Sequence, residues 1–173
     1  MTAANALPHP RLSAATVLLA SAATLGGALL FQYVGGLAPC ILCIWQRWPH
    51  GIAMVLALLA LLACGSRPVQ AGLLGGLLAL AGAALWIGAG IAAFHVGVEQ
   101  HWWAGTPGCG STQSAASLEE LRAMVMNAPV VRCDQAAWSL AGVSMAGWNF
   151  LISLVLGALA FAGAARAFAS ERP

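Results

Sequence analysis

Cys40 and Cys43 stand three residues apart in Pro39-Cys40-Ile41-Leu42-Cys43, where a short loop gives way to a long apolar run. On the first turn of a helix that spacing puts two sulfurs on one face, close enough to bridge. The helix N-terminus above them favours a thiolate, the nucleophilic form in thiol–disulfide exchange. In a soluble chain such a pair indicates thioredoxin-type redox chemistry or half of a zinc site. Arg47 follows Cys43 by four and Cys40 by seven, so all three share the helix face. A guanidinium at the edge of a membrane span marks a functional site by default, and here it suits stabilising an anion: the Cys43 thiolate or a reduced acceptor. The plain alternative is an arginine snorkelling to the headgroups.

Cys109 and Cys133 form a second couple, flanking a polar segment. Taken alone, they read as a disulfide stapling a loop. A loop of about fifty residues outside the membrane buries little core, however, and its ends stay mobile. Exchange between two dithiol pairs needs a mobile member that approaches a fixed one, and two pairs arranged this way read as a relay. His95 and Glu99, four apart, could move protons during a two-electron transfer if they face inward, or could simply mark the interface. Cys64 and His50 read as ordinary buried or interfacial residues.

The elements that must position these groups are membrane helices. The chain is 61% hydrophobic and 7% charged, without lysine, against about 25% charged residues in soluble domains. Four apolar stretches, residues 12–34, 40–64, 71–94 and 143–165, each reach the roughly 20 residues that cross a hydrocarbon core. A signal peptide ending near Ala20-Ser21-Ala22 is the competing reading of the first, but its apolar run continues through Phe31. The expected architecture is all-α: one unit over residues 1–173, a four-transmembrane-helix bundle with a long loop over residues 95–142. Within that loop, residues 117–126 have the capping box and apolar stripe of a short amphipathic helix, ended by Pro129.

Charge gives an orientation. Arg11, Arg67, Arg166 and Arg172 fall on one side of this threading, and Arg47, Arg122 and Arg132 fall with four acids on the other. The positive-inside rule then places both termini in the cytoplasm and all four loop and loop-edge cysteines outside, in an oxidising compartment if the cell is bacterial. Tyr33, Trp45, Trp48, Trp102, Trp103 and Trp148 gather near the outer helix ends, as an interfacial belt or around a flat apolar ligand. A net charge of +2 without a basic run leaves no case for nucleic acid.

The run from Pro39 to Arg47 resembles the Pro-Cys-x-x-Cys-x-x-x-Arg signature of the DsbB disulfide bond formation family. His95-Val96-Gly97-Val98-Glu99 ahead of Cys109 is similar to that family too, as is Cys133-Asp134 followed by Trp138, Ser144-Met145 and Trp148-Asn149. The resemblance covers nearly the whole chain. It implies a multi-pass enzyme of the bacterial inner membrane that serves periplasmic protein folding. Such an enzyme reoxidises a periplasmic DsbA-like dithiol oxidase and passes electrons to a membrane quinone, ubiquinone or menaquinone. It implies a Cys109–Cys133 disulfide attacked by the partner through Cys109, exchange of Cys133 with Cys40, and Cys43 facing the quinone beside Arg47, with His95 and Glu99 contributing to that site. Cys64 lies outside the family's four working cysteines, and a paralogue dedicated to one secreted substrate fits equally.

Two other classes compete. A vitamin K epoxide reductase-like enzyme also couples thiols to quinones in four helices, but its Cys-x-x-Cys pair follows the loop pair. A metal- or haem-binding membrane protein could use Cys40, Cys43, His50, His95 or His101, yet these spacings match no usual zinc pattern, and no metal is expected. A transporter ranks last, for want of a broken-helix repeat.

Overall fold

The structure, a computed structural model, describes residues 8–63, 68–109, 117–119, 122 and 131–170. Five helices dominate the described residues. These are α1 (Pro10–Tyr33), α2 (Ile41–Trp45), α3 (Arg47–Leu62), α4 (Pro68–Glu99) and α5 (Met145–Ala169). Because α2 and α3 form one interrupted rod, the bundle contains four helices long and apolar enough to cross a membrane. In the larger helix pairs α4 lies against α5 and α3, while α1 lies against α3 and α5.

Small residues let the helices meet. In the middle tier Val17, Ala53, Ala57, Ala81, Leu85, Leu156 and Ala160 are buried together, and nearer the termini Ala14, Ala60, Leu74, Leu78, Ala164 and Ala167 form another cluster. With lipid as apolar as leucine, such contacts depend on close packing rather than on expulsion of water. Gly157 shows how close: a Cβ there would overlap the Trp86 indole, which packs edge-on against Phe161.

Helix ends differ from the sequence expectation where local chemistry intervenes. Pro10 occupies the first turn of α1, a position where a missing N–H costs nothing, so the helix starts two residues early. The second span breaks at Gln46, one turn ahead of Pro49. Proline lacks the N–H that would bond four residues back, and its ring crowds the carbonyl there. The third span continues a turn past residue 94 and carries His95 and Glu99 on helix, not loop. It ends when His101 turns left-handed at φ 59° and the Trp102 N–H reaches back to the Gly97 carbonyl at 2.9 Å, a Schellman-type stop.

Residues 139–144 form a hairpin that periodicity did not foretell. Strand β1 (Ser139–Leu140) pairs antiparallel with β2 (Val143–Ser144) through Ala141 and Gly142, both at positive φ, as a type I′ turn requires. Ser144 then caps α5, accepting from the Gly147 N–H at 3.1 Å. Of the expected amphipathic helix only residues 117–119 and 122 are described; the rest of it, with Pro129, lies outside the described residues, as do Cys64, Arg67 and Arg172.

Candidate functional site

At the loop-bearing end of the bundle the apolar tiers give way to a third cluster: Cys40, Leu42, Val98 and Cys133, with Cys43, Phe94 and Cys109 packed against it. Cys40 is the N-cap of α2, and its sulfur accepts from the Cys43 N–H at 3.2 Å. The two sulfurs lie 2.7 Å apart as free thiols. Cys109 and Cys133 are joined in a disulfide. A 3-10 turn over Pro107–Cys109 presents the first, and the Cys133 N–H reaches the Cys109 carbonyl at 3.4 Å. Cys133 is fully buried while Cys109 is partly buried, so this loop pair is docked on the helix pair with Cys133 the more enclosed of the two.

Polar groups surround the sulfurs. His95 Nε2 lies 3.6 Å from Cys40 Sγ and 4.0 Å from Glu99 Oε1, and the ring also meets the Cys133 backbone. Ser144 Oγ donates to Glu99 Oε2. Both His95 and Glu99 face the bundle interior with side chains less than a tenth exposed. Arg47 Nη1 donates to Gln32 Oε1 of α1 at 2.6 Å, so the guanidinium is tied to a neighbouring helix. On the surface loop beside Cys133, the Arg132 guanidinium holds the Asp134 carboxyl below its usual range, and His101 approaches that carboxylate at 4.0 Å.

A cavity of about 650 Å³ opens beside the helix pair. Cys40, Cys43, Arg47, His95 and Glu99 all line it, against an apolar wall that includes Phe31, Met145 and Ile152. Binding sites for drug-sized molecules occupy about 300–1,000 Å³ and combine apolar walls with a few placed polar groups. A flat lipophilic molecule fits that description. Most of the outer aromatics do not build the cavity: Tyr33, Trp48 and Trp102 are exposed, which suits an interfacial belt, whereas Trp138 and Trp148 do line it.

Three of the five candidate metal ligands converge, with donor atoms of Cys40, Cys43 and His95 within 4.8 Å of one another. His50 instead bonds Asn149 Oδ1 at 2.8 Å, and His101 is exposed beside Asp134. A closed zinc site takes four ligands, which these histidines do not complete.

Sequence reasoning missed Gln46 and Asn149. Gln46 Nε2 lies 2.8 Å from His95 Nδ1, and Asn149 Nδ2 donates to Gln46 Oε1 at 2.7 Å. The available signal was an uncharged amide inside each of two apolar spans, where a polar group needs a partner.

Comparison with known proteins points one way. The family model described as disulfide bond formation protein DsbB matches residues 10–163. A disulfide bond formation protein B from Methylococcus capsulatus is 33% identical over 162 residues, covering 88% of this chain and 92% of that protein. The protein of the same name from Chromohalobacter salexigens is 37% identical over 145 residues, covering 80% and 81%. That from Verminephrobacter eiseniae is 32% identical over 175 residues, covering 94% and 90%. No solved structure matches. Neither the vitamin K epoxide reductase-like reading nor the metal-binding one is favoured by these relatives.

Proposed function

The chain belongs to the DsbB family of membrane disulfide bond formation proteins, and from that premise we propose that it carries electrons from a periplasmic DsbA-like dithiol oxidase to a membrane quinone through its two cysteine pairs. It acts as one four-helix unit over residues 1–173, in a bacterial inner membrane, with both termini cytoplasmic and the cysteine end periplasmic. The arginine bias and the four spanning helices support that placement.

The observation that carries the reading is the sequence of contacts at the cysteine end. Cys109, the less buried member of the loop pair, is bonded to the fully buried Cys133, which packs with Cys40, whose partner Cys43 lines the cavity. A thiolate of the partner attacks Cys109, and Cys133 leaves as a thiolate; the partner's second thiolate then releases Cys109 and closes the partner's own disulfide. Two electrons now reside on Cys109 and Cys133. With Cys40 and Cys43 oxidised, the Cys133 thiolate attacks Cys40, forming Cys133–Cys40 and expelling Cys43. Attack by Cys109 on Cys133 restores the loop disulfide and releases Cys40.

A quinone bound in the cavity would accept the two electrons and two protons that return Cys40 and Cys43 to the disulfide. The residues present fit such a group: an apolar wall, the fixed cation of Arg47, and polar hydrogens from His95 and its neighbours. Arg47, tied to Gln32, offers its remaining N–H groups to an oxygen that gains negative charge. Glu99, held by Ser144, and His95 stand where protons are exchanged.

The test is quinone reduction by a reduced DsbA-type protein with purified enzyme in lipid. Cys40→Ser, Cys43→Ser, Cys109→Ser and Cys133→Ser should each bring turnover to background. Turnover in any one of them would overturn the relay.

A further inference from the structure

A hydrogen-bond chain runs away from Cys40 across two helices, and its direction is set by chemistry rather than by the drawing of the amides. A backbone carbonyl only accepts, so the group of Gln46 that reaches the Leu42 carbonyl at 3.1 Å is the amide nitrogen. The same nitrogen lies 2.8 Å from His95 Nδ1. His95 Nδ1 must therefore be the acceptor, and the ring proton of neutral His95 sits on Nε2, the atom facing Cys40 Sγ at 3.6 Å.

The far side of Gln46 is held the same way. Its Oε1 accepts from Asn149 Nδ2 at 2.7 Å, which turns Asn149 Oδ1 toward His50 Nε2 at 2.8 Å and Ser153 Oγ at 3.3 Å. Two acceptors would repel at 2.8 Å, so the His50 proton is on Nε2 and donates to Oδ1, which also accepts from the Ser153 hydroxyl. This agrees with an independent fact: His50 Nδ1 is buried without a partner. A bare nitrogen lone pair is the cheaper group to leave unpaired than an N–H. Gln46, His50 and Ser153 are each at most 6% exposed, while Asn149 is half-buried and borders the cavity.

We propose that Gln46 and Asn149 are positioning residues that hold His95 as the Nε2–H tautomer, so that it donates to Cys40 as that sulfur becomes a thiolate. The inference rests on the relay described above. In its last exchange Cys109 attacks Cys133, the Cys133–Cys40 bond breaks, and its electron pair stays on Cys40. A leaving thiolate that receives a hydrogen bond leaves faster. The rate of that step then depends on Gln46 and, through its Oε1, on Asn149.

The tautomer is read directly in nitrogen-15 histidine spectra of the full-length protein in lipid, with the His95 signal identified by its loss in His95→Gln. Wild type should show a protonated Nε2 and a bare Nδ1. Gln46→Met, similar in size and unable to donate to Nδ1, should lose that preference. The same variant should prolong the life of the Cys40–Cys133 linked species, trapped by acid quench and mass spectrometry, by roughly tenfold, the worth of one hydrogen bond. Asn149→Leu keeps the Leu42 anchor of Gln46, so it should shift both readouts in the same direction by less, and it serves if Gln46→Met does not fold. An unchanged His95 pattern, or a changed pattern with an unchanged lifetime, overturns the positioning role. Wild-type protein that reduces no quinone strikes at the functional reading instead, and leaves the nitrogen spectra to be judged on their own.

Discussion

Between Ala14 and Leu156 the helices meet through alanine, glycine and a few large apolar side chains, whereas between Cys40 and Asn149 the same helices meet through amides, imidazoles and thiols. In the apolar tiers close approach is the whole mechanism: Gly157 admits Trp86, and Gly163 admits Ser13. Around the cysteines most buried polar atoms find a particular partner, often on another helix, as Gln46 does with His95 and Asn149, and His50 Nδ1 is left without one. In hydrocarbon an unmatched polar group is costly, so nearly every member of such a network is paired. One end of the bundle holds the helices together, and the other gives two sulfurs a defined electrical surrounding.

The comparison predicts that damage to the two regions separates into different observables. Leu85 is fully buried in the middle tier. Leu85→Ala should cost about 2 kcal/mol, the low end of the range for soluble cores, since lipid removes much of the transfer contribution. Denaturation in mixed micelles would show it, with turnover per folded molecule unchanged. A loss of turnover at full stability would break the division. Arg47→Met should do the reverse, leaving stability near wild type while raising the KM for quinone about tenfold, as expected for one charge-assisted hydrogen bond. Equal KM values would remove Arg47 from the acceptor site. The smallest effect belongs to Ser144→Ala, which loses the cap of α5 and the donor to Glu99 together. About 1 kcal/mol of stability is expected to go with it, accompanied by a change in the pH dependence of turnover that Leu85→Ala does not produce.

Much of the apolar scaffold was legible in the sequence, because span length and the scarcity of charge are local properties. Cys40, Cys43 and Arg47 were legible for the same reason, as residue types at short spacings, whereas Cys109 and Cys133, 24 residues apart, were legible only as two cysteines flanking a polar segment. The polar network was not. Gln46, at the break between α2 and α3, and Asn149 on α5 are 103 residues apart and adjacent only in the folded bundle. Nor did alternation reveal the hairpin, whose signal is two left-handed residues, Ala141 and Gly142, rather than a run of strand formers. His95 and Glu99, at the outer end of the third span, could be read equally as inward-facing or as marking the interface, because polarity usually marks the end of a span. The helix continues because both side chains turn inward and find partners there.

The docking of Cys133 beside Cys40 also refines the picture of a free loop approaching a fixed pair. The loop disulfide rests with its buried sulfur already in the cluster that holds Cys40. The central claim, that electrons cross between the pairs at these two sulfurs, is open to one direct measurement. In the double variant Cys43→Ser/Cys109→Ser, mild oxidation followed by disulfide mapping should find Cys40 and Cys133 joined within one molecule, in stoichiometric yield. Cys40 and Cys133 both remaining as thiols, or bonded only between molecules, would contradict it.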